Sequence, residues 1–289
     1  MAAALSGFSF KHLIAVSAFI AIGLTPVEPA GAQATRQQSA CDIQSGARPD
    51  VVISSCTALI QSGRDTGRNL AAAFTVRGRA YRGLGDLDRA IADYSEAIRI
   101  DPNYVLAVYS RGIAYFNKGD NDRAIADYSE ALRLTPRDII ALQNRGHAYQ
   151  AKREYDRAIA DYAEAIRIAP RFAWAFNDRC YARALAGREL QQALADCDEA
   201  LRLSPNDSSF ASAVLDSRGL THLRLGEFDQ AIADYNAVLM VNPKKGMSLY
   251  GRGLAKQKKG DKAGGDADIA AAKAIRVGIA EEFARYGVE

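Results

Sequence analysis

From about residue 70 onward the sequence keeps a helical period. Between Asp88 and Arg99, apolar Ala90, Tyr94, Ala97 and Ile98 fall at i, i+4, i+7 and i+8 and make one face of a helix. Charged Arg89, Asp93, Glu96 and Arg99 take the other faces. An upstream helix around Ala72–Gly83 carries Val76, Ala80 and Tyr81 in the same way. Gly119-Asp120-Asn121-Asp122 and its relatives supply the turn between paired helices. Pro102 ends the second helix: proline has no amide to continue the ladder and pushes its predecessor into extended backbone.

This two-helix unit recurs. Asp88–Ala97 returns almost unchanged at Asp122–Ala131 and Asp156–Ala165, 34 residues apart each time, with looser copies at Leu194–Ala200 and Gln230–Val238. Arg77-Gly78, Arg111-Gly112 and Arg145-Gly146 keep the same step, and Arg179-Cys180 stands at the next interval. Arg218-Gly219 and Arg252-Gly253 follow after small insertions, and Pro102, Pro136, Pro170, Pro205 and Pro243 close the units. Such a period describes a stacked array in which each unit buries its apolar face only against its neighbours.

The landmark residues resemble the tetratricopeptide-repeat family. Its motif of small residue, aromatic, Ala, aromatic, Ala and Pro is met by Gly78, Tyr81, Ala90, Tyr94, Ala97 and Pro102. It is met again by Gly112, Tyr115, Ala124, Tyr128, Ala131 and Pro136, and by Gly146, Tyr149, Ala158, Tyr162, Ala165 and Pro170. The resemblance covers residues 40–289 and implies an all-α, right-handed superhelical solenoid of antiparallel helix pairs, its first helices lining a concave groove. The expected organisation is a truncated N-terminal helical repeat at 35–70, five units over 71–245, and a degenerate sixth repeat with a C-terminal capping helix over 246–289. The fourth unit departs from the motif, with Cys180 for Gly and with Arg183 and Cys197 in the aromatic places.

Residues 1–34 have another character. Lys11 precedes the apolar run Leu13–Leu24, Pro26 breaks it, and Ala30-Gly31-Ala32 or Ala32-Gln33-Ala34 offers a small-residue cleavage site. That is the layout of a secretory signal peptide. The run falls short of the roughly 20 apolar residues that span a bilayer; a retained anchor is the alternative. The expected location is periplasmic or secreted, with no membrane insertion after signal removal.

Export changes the reading of the cysteines, because thiols pair readily outside the cytoplasm. Cys56 aligns with the place held by Tyr94, and Cys41 falls near the place of Gly78 in a shortened first helix. Cys180 and Cys197 hold those two places in the fourth unit. Two pairs at equivalent places suggest disulfides Cys41–Cys56 and Cys180–Cys197, against the alternative of four buried free thiols.

Each unit also repeats an arginine (Arg77, Arg111, Arg145, Arg179, Arg218, Arg252) and an aspartate (Asp93, Asp127, Asp161, Asp196, Asp234, Asp268). A matching carboxylate in every unit predicts a partly buried bidentate pair between neighbouring helices rather than an anion site. The residues that vary between units are more informative about a partner. The resemblance implies that Tyr109, Phe116, Asn117, Gln143, Asn144, His147, Gln150, Trp174, Asn177 and Tyr181 face the groove, with Asp216 and Arg224 beyond them. This floor is rich in aromatic and amide groups, suited to a protein or peptide partner. The family's clamp for a C-terminal carboxylate is not met, since its places hold Thr75, Arg79, Ser110, Ile140 and Asn144.

Charge adds little: 37 basic against 34 acidic residues leave +3, no electrostatic case for nucleic acid. Nothing in the sequence assembles a catalytic, cofactor or metal site. The expected function is a non-catalytic protein-interaction module, an adaptor, scaffold or assembly factor of the cell envelope. The alternative is a structural solenoid that self-associates.

Overall fold

The computed structural model describes Cys41 and residues 46–288; the expected signal segment at 1–34 lies outside the described residues. Among the described residues the chain is helical, with no strand. A single helix, α1 (Pro49–Gln61), precedes six pairs. These are α2 (Gly67–Gly83) with α3 (Leu87–Ile100), α4 (Val105–Asn117) with α5 (Asn121–Leu134), and α6 (Ile139–Ala151) with α7 (Tyr155–Ile168). They continue as α8 (Ala173–Ala186) with α9 (Leu190–Leu203), α10 (Ser208–Leu225) with α11 (Phe228–Val241), and α12 (Gly246–Lys258) with α13 (Lys262–Ile275). A short α14 (Ile279–Arg285) ends the array. Each second helix packs against its own partner and against the first helix of the next pair, which builds a right-handed superhelix.

In four of the six pairs a glycine–tyrosine contact sets the closeness of the two helices. A Cβ on Gly112 would stand 2.9 Å from Tyr128 Cε1, and one on Gly78 would stand 2.8 Å from Tyr94 Cε1. Only glycine lets the facing tyrosine ring lie flat against the first helix, and Tyr94, Tyr128, Tyr162 and Tyr235 are fully buried there. In the fourth unit the same slot holds sulfur. Cys180 and Cys197 lie at disulfide distance (S–S 2.06 Å, Cα–Cα 5.6 Å), and so do Cys41 and Cys56 (2.14 Å, 4.9 Å) in front of α2.

Both helix ends at the inner turn are satisfied. The amide of Asp120 donates to Tyr115 O at 2.9 Å across Gly119, whose φ is +82°, and the Asp120 carboxylate then caps α5 through the Arg123 amide. Gly85, Gly187, Gly226 and Gly260 take the same left-handed conformation in their units, but the third unit places Arg153 there at φ 62°. For a residue with a Cβ that conformation costs about 1–2 kcal/mol.

The repeated arginine and aspartate pair in every unit. Arg111 donates to Asp127 through Nε at 2.9 Å and Nη2 at 2.8 Å, and Nη1 reaches back to Ser95 Oγ of the preceding pair at 3.1 Å. Arg145 does the same with Asp161 and Ser129. One guanidinium thus fastens its own hairpin and the one before it. Arg179 binds only Asp196, because Ala163 stands where the serine would be.

Candidate partner-binding groove

The concave floor is made by the first helices of the pairs, and hydrogen bonds between successive first helices use many of its polar groups. Asn144 Nδ2 donates to the Tyr109 hydroxyl at 2.5 Å. Gln143 Nε2 donates to Asp178 Oδ2 at 2.6 Å, and His147 Nε2 lies 3.1 Å from the same oxygen. The Ser217 hydroxyl donates to Asn177 Oδ1 at 3.0 Å, leaving Asn177 only 7% exposed. Trp174 packs edge-on against Phe210, centroids 4.6 Å apart, yet stays 45% exposed. Sequence spacing places these residues on one face; it does not show which amides a neighbouring helix has already engaged.

The tyrosines of the second helices reach the same floor from below. Tyr162 OH lies 3.5 Å from Gln150 Oε1, and the Tyr128 ring sits 5.8 Å from that of Tyr109. Burial pushes the pKa of the Tyr109 phenol up, with Asp138 adding to the shift and Asn144 opposing it. In the first pair, Tyr94 OH and Arg82 Nε are buried and find no hydrogen-bond partner among the described residues. Burial pushes the Tyr94 phenol up, and the nearby Arg82 and Arg79 charges offset part of that. Asn117 is exposed at the end of α4.

The far half of the groove is occupied by the chain itself. Helix α14 turns back over α12, with the Phe283 and Tyr250 rings 4.6 Å apart. Its Phe283 and the following Val288 join the apolar cluster of Leu185, Leu220, Leu223 and Leu254. The Arg224 guanidinium donates to the Tyr286 carbonyl, and Tyr286 lies against Tyr181. Burial pushes the Tyr181 phenol up to about 12. Arg224 and Tyr181, expected to face a partner, therefore face α14.

Where α14 meets the open half, a cleft of about 430 Å³ remains, lined by Phe116, His147, Gln150, Arg153, Tyr155, Tyr181, Arg285 and Tyr286 among others. Phe116, His147, Gln150 and Tyr181 were expected at the groove from the sequence; Arg153 and the α14 residues were not. The irregularity that marks Arg153 is legible in the sequence, as the one non-glycine in the series Gly85, Gly119, Arg153, Gly187, Gly226, Gly260. The fold-back of α14 leaves no such mark. Among the described residues no group of three or more His, Cys, Asp or Glu side chains is placed to hold a metal ion, and no helix is long and apolar enough to cross a membrane.

Models of the TPR repeat match residues 78–119 and 112–153, and models of the tetratricopeptide repeat match 139–172 and 217–275. Together they cover more than half of the chain. No curated protein matches the sequence. Solved structures share the architecture at low identity. A tetratricopeptide repeat protein from Parabacteroides merdae ATCC 43184 is 18% identical with a TM-score of 0.69, over 89% of this chain and 100% of that one. The Pseudomonas aeruginosa pilF protein is 21% identical with a TM-score of 0.57, over 75% of this chain and 98% of that one. The APC/C hetero-tetramer Cut9-Hcn1 includes a chain 16% identical with a TM-score of 0.64, matched over 88% of this chain. This chain spans about half (52%) of that one's length.

Proposed function

The chain belongs to the tetratricopeptide-repeat family, and from that premise we propose that it is a non-catalytic adaptor of the cell envelope that grips a segment of a partner protein in its concave groove. Repeats of this family are protein-interaction modules, and the Cut9-Hcn1 structure carries one such array within a hetero-tetramer. The observation that carries the reading is the asymmetry of the groove. Helix α14 fills the half over α10 and α12, while the half over α2, α4 and α6 is left open with Tyr109, Phe116 and Asn117 on its floor. Amides beside aromatics suit the backbone and side chains of an extended segment.

Placement in the envelope rests on the signal-like segment at 1–34 and agrees with two cysteine pairs at disulfide distance. The test is a crosslinking pull-down from envelope extract with the mature protein and with its Tyr109→Ala, Asn144→Ala, Trp174→Ala triple variant. A partner enriched by the parent and lost by the folded variant supports the groove; identical recovery by both refutes it.

Self-association is the second reading, favoured by Met240 (84% exposed), Val241, Ile275 and Val277 (96% exposed) at the C-terminal ends of α11 and α13. Light scattering over a concentration series decides it: a strict monomer at high concentration removes this reading.

A further inference from the structure

We propose that the cleft between α6, α8 and α14 recognises a carboxylate side chain of a partner segment, seated beside an aromatic residue of that segment. The inference rests on the groove-binding reading and names the chemistry it selects.

The walls of the cleft combine aromatic and polar side chains, with the ion-paired Glu282 among them. Phe116, Tyr155, Tyr181 and Tyr286 come from four different helical segments and converge there because α14 folds back. Its volume, about 430 Å³, has room for one or two side chains. The cations at its rim divide into two groups. Arg276 is held by Glu282 at 2.8 Å, and neighbouring Lys152 by Glu154 at 2.8 Å and Asp122 at 2.5 Å. Arg153 and Arg285 have no carboxylate partner among the described residues; the Arg285 guanidinium touches only the Glu281 carbonyl of its own helix, at 3.1 Å. Arg99, Arg133, Arg167 and Arg202 are each held by a carboxylate on their own helix, whereas these two guanidinium groups meet on one cleft. Guanidinium is the group best shaped to take a carboxylate bidentately and to stack on aromatic rings as it does so.

Arg153 carries the argument further. Its backbone occupies the left-handed turn that glycine fills in the other five pairs (φ 62° against 71° to 95°). The fold asks for glycine at that turn and receives a strained arginine whose side chain opens onto the cleft. Strain retained at a position that packing does not demand marks a side chain kept for what it contacts.

The two roles separate experimentally. Arg153→Gly removes the strain and the cation together, so a purely structural residue would leave binding alone. The probe is a fluorescein-labelled peptide Gly-Ser-Asp-Phe-Glu-Phe-Asp-Ser-Gly, with an Asn/Gln counterpart of equal length, titrated against the mature protein by fluorescence anisotropy. The acidic peptide is expected to bind about ten-fold tighter than its amide counterpart, the scale of one charge-assisted contact. Arg153→Gly and Arg285→Ala are each expected to remove that preference, and Arg153→Gly to do so with a thermal midpoint equal to or above the parent's. Equal binding of the two peptides, parental binding by Arg153→Gly, or no saturation by either peptide up to about 1 mM overturns the proposal. If the peptides fail while the crosslinked partner is still lost from the triple variant, the ligand class is wrong and the groove reading survives.

Discussion

The fourth repeat replaces a glycine–tyrosine contact with two sulfurs, and that exchange can be reversed by design. Consider two double variants, Cys180→Ala with Cys197→Ala, and Cys180→Gly with Cys197→Tyr. The bond closes a loop of 17 residues between helices that pack along their length. In the chain-entropy model such a loop is worth about 3 kcal/mol. For a chain of this size each kcal/mol moves the midpoint by roughly 2–4 °C, so the alanine pair is expected to melt about 6–12 °C below the parent. The loss falls in the middle of a one-dimensional array, where stability is a sum of units and their interfaces. Unfolding of the alanine pair should therefore broaden, with α8 and α9 exchanging amide hydrogen ahead of α4–α7. The glycine–tyrosine pair restores the contact that buries Tyr94, Tyr128, Tyr162 and Tyr235 completely, and should recover most of the lost midpoint without any bond. The assay is differential scanning calorimetry with and without a phosphine reductant, plus hydrogen exchange read by mass spectrometry. If the glycine–tyrosine variant melts with or below the alanine pair, the two contacts are not interchangeable and the account of the slot is wrong. If reductant leaves the parent's midpoint unchanged, the bond contributes nothing.

Two further predictions concern the interior. Ala163→Ser supplies the acceptor that Arg179 Nη1 lacks and that Ser95 and Ser129 give to Arg111 and Arg145. A hydrogen bond from a charged donor, less the helix preference of alanine over serine, should raise stability by about 1 kcal/mol; a lowered urea midpoint would contradict the bolt. Burial holds Tyr94, Tyr162 and Tyr235 above the ordinary phenol range and pushes Tyr181 up to about 12. Their neutral forms are favoured by the fold, so this stabilisation is complete below the unfolded value of about 10 and is withdrawn as pH rises from there through the folded values. The phenolate absorbance of these residues should appear only as circular dichroism is lost, and full phenolate signal from an intact fold would refute the packing.

The fold was legible because its information is periodic. Gly78 and Tyr94 say little alone; with Gly112 and Tyr128, and Gly146 and Tyr162, at a step of 34 they define a hairpin, and Cys180 with Cys197 becomes readable as the same slot filled differently. The groove was legible as a face but not as a surface. Whether Asn177 points to a partner or to Ser217 depends on the approach of two helices 40 residues apart, and spacing within one helix carries no trace of that. The position of α14 was beyond reach for a related reason. Its helical stretch and end position suggested a cap, but the contact from Arg224 to Tyr286 crosses 62 residues and occurs once. A contact made once has no repetition to reveal it.

The fold-back of α14 also divides the molecule mechanically. Among the described residues the main helix–helix contacts elsewhere in the array join neighbouring repeats, the arrangement of a spring. By touching α12, α10 and α8 from the concave side, the terminal segment ties several coils of that spring together. The coils built from α2 to α7 carry no such brace, so resistance to a change of pitch should be unequal along the array, higher beneath the terminal segment than at the opposite end.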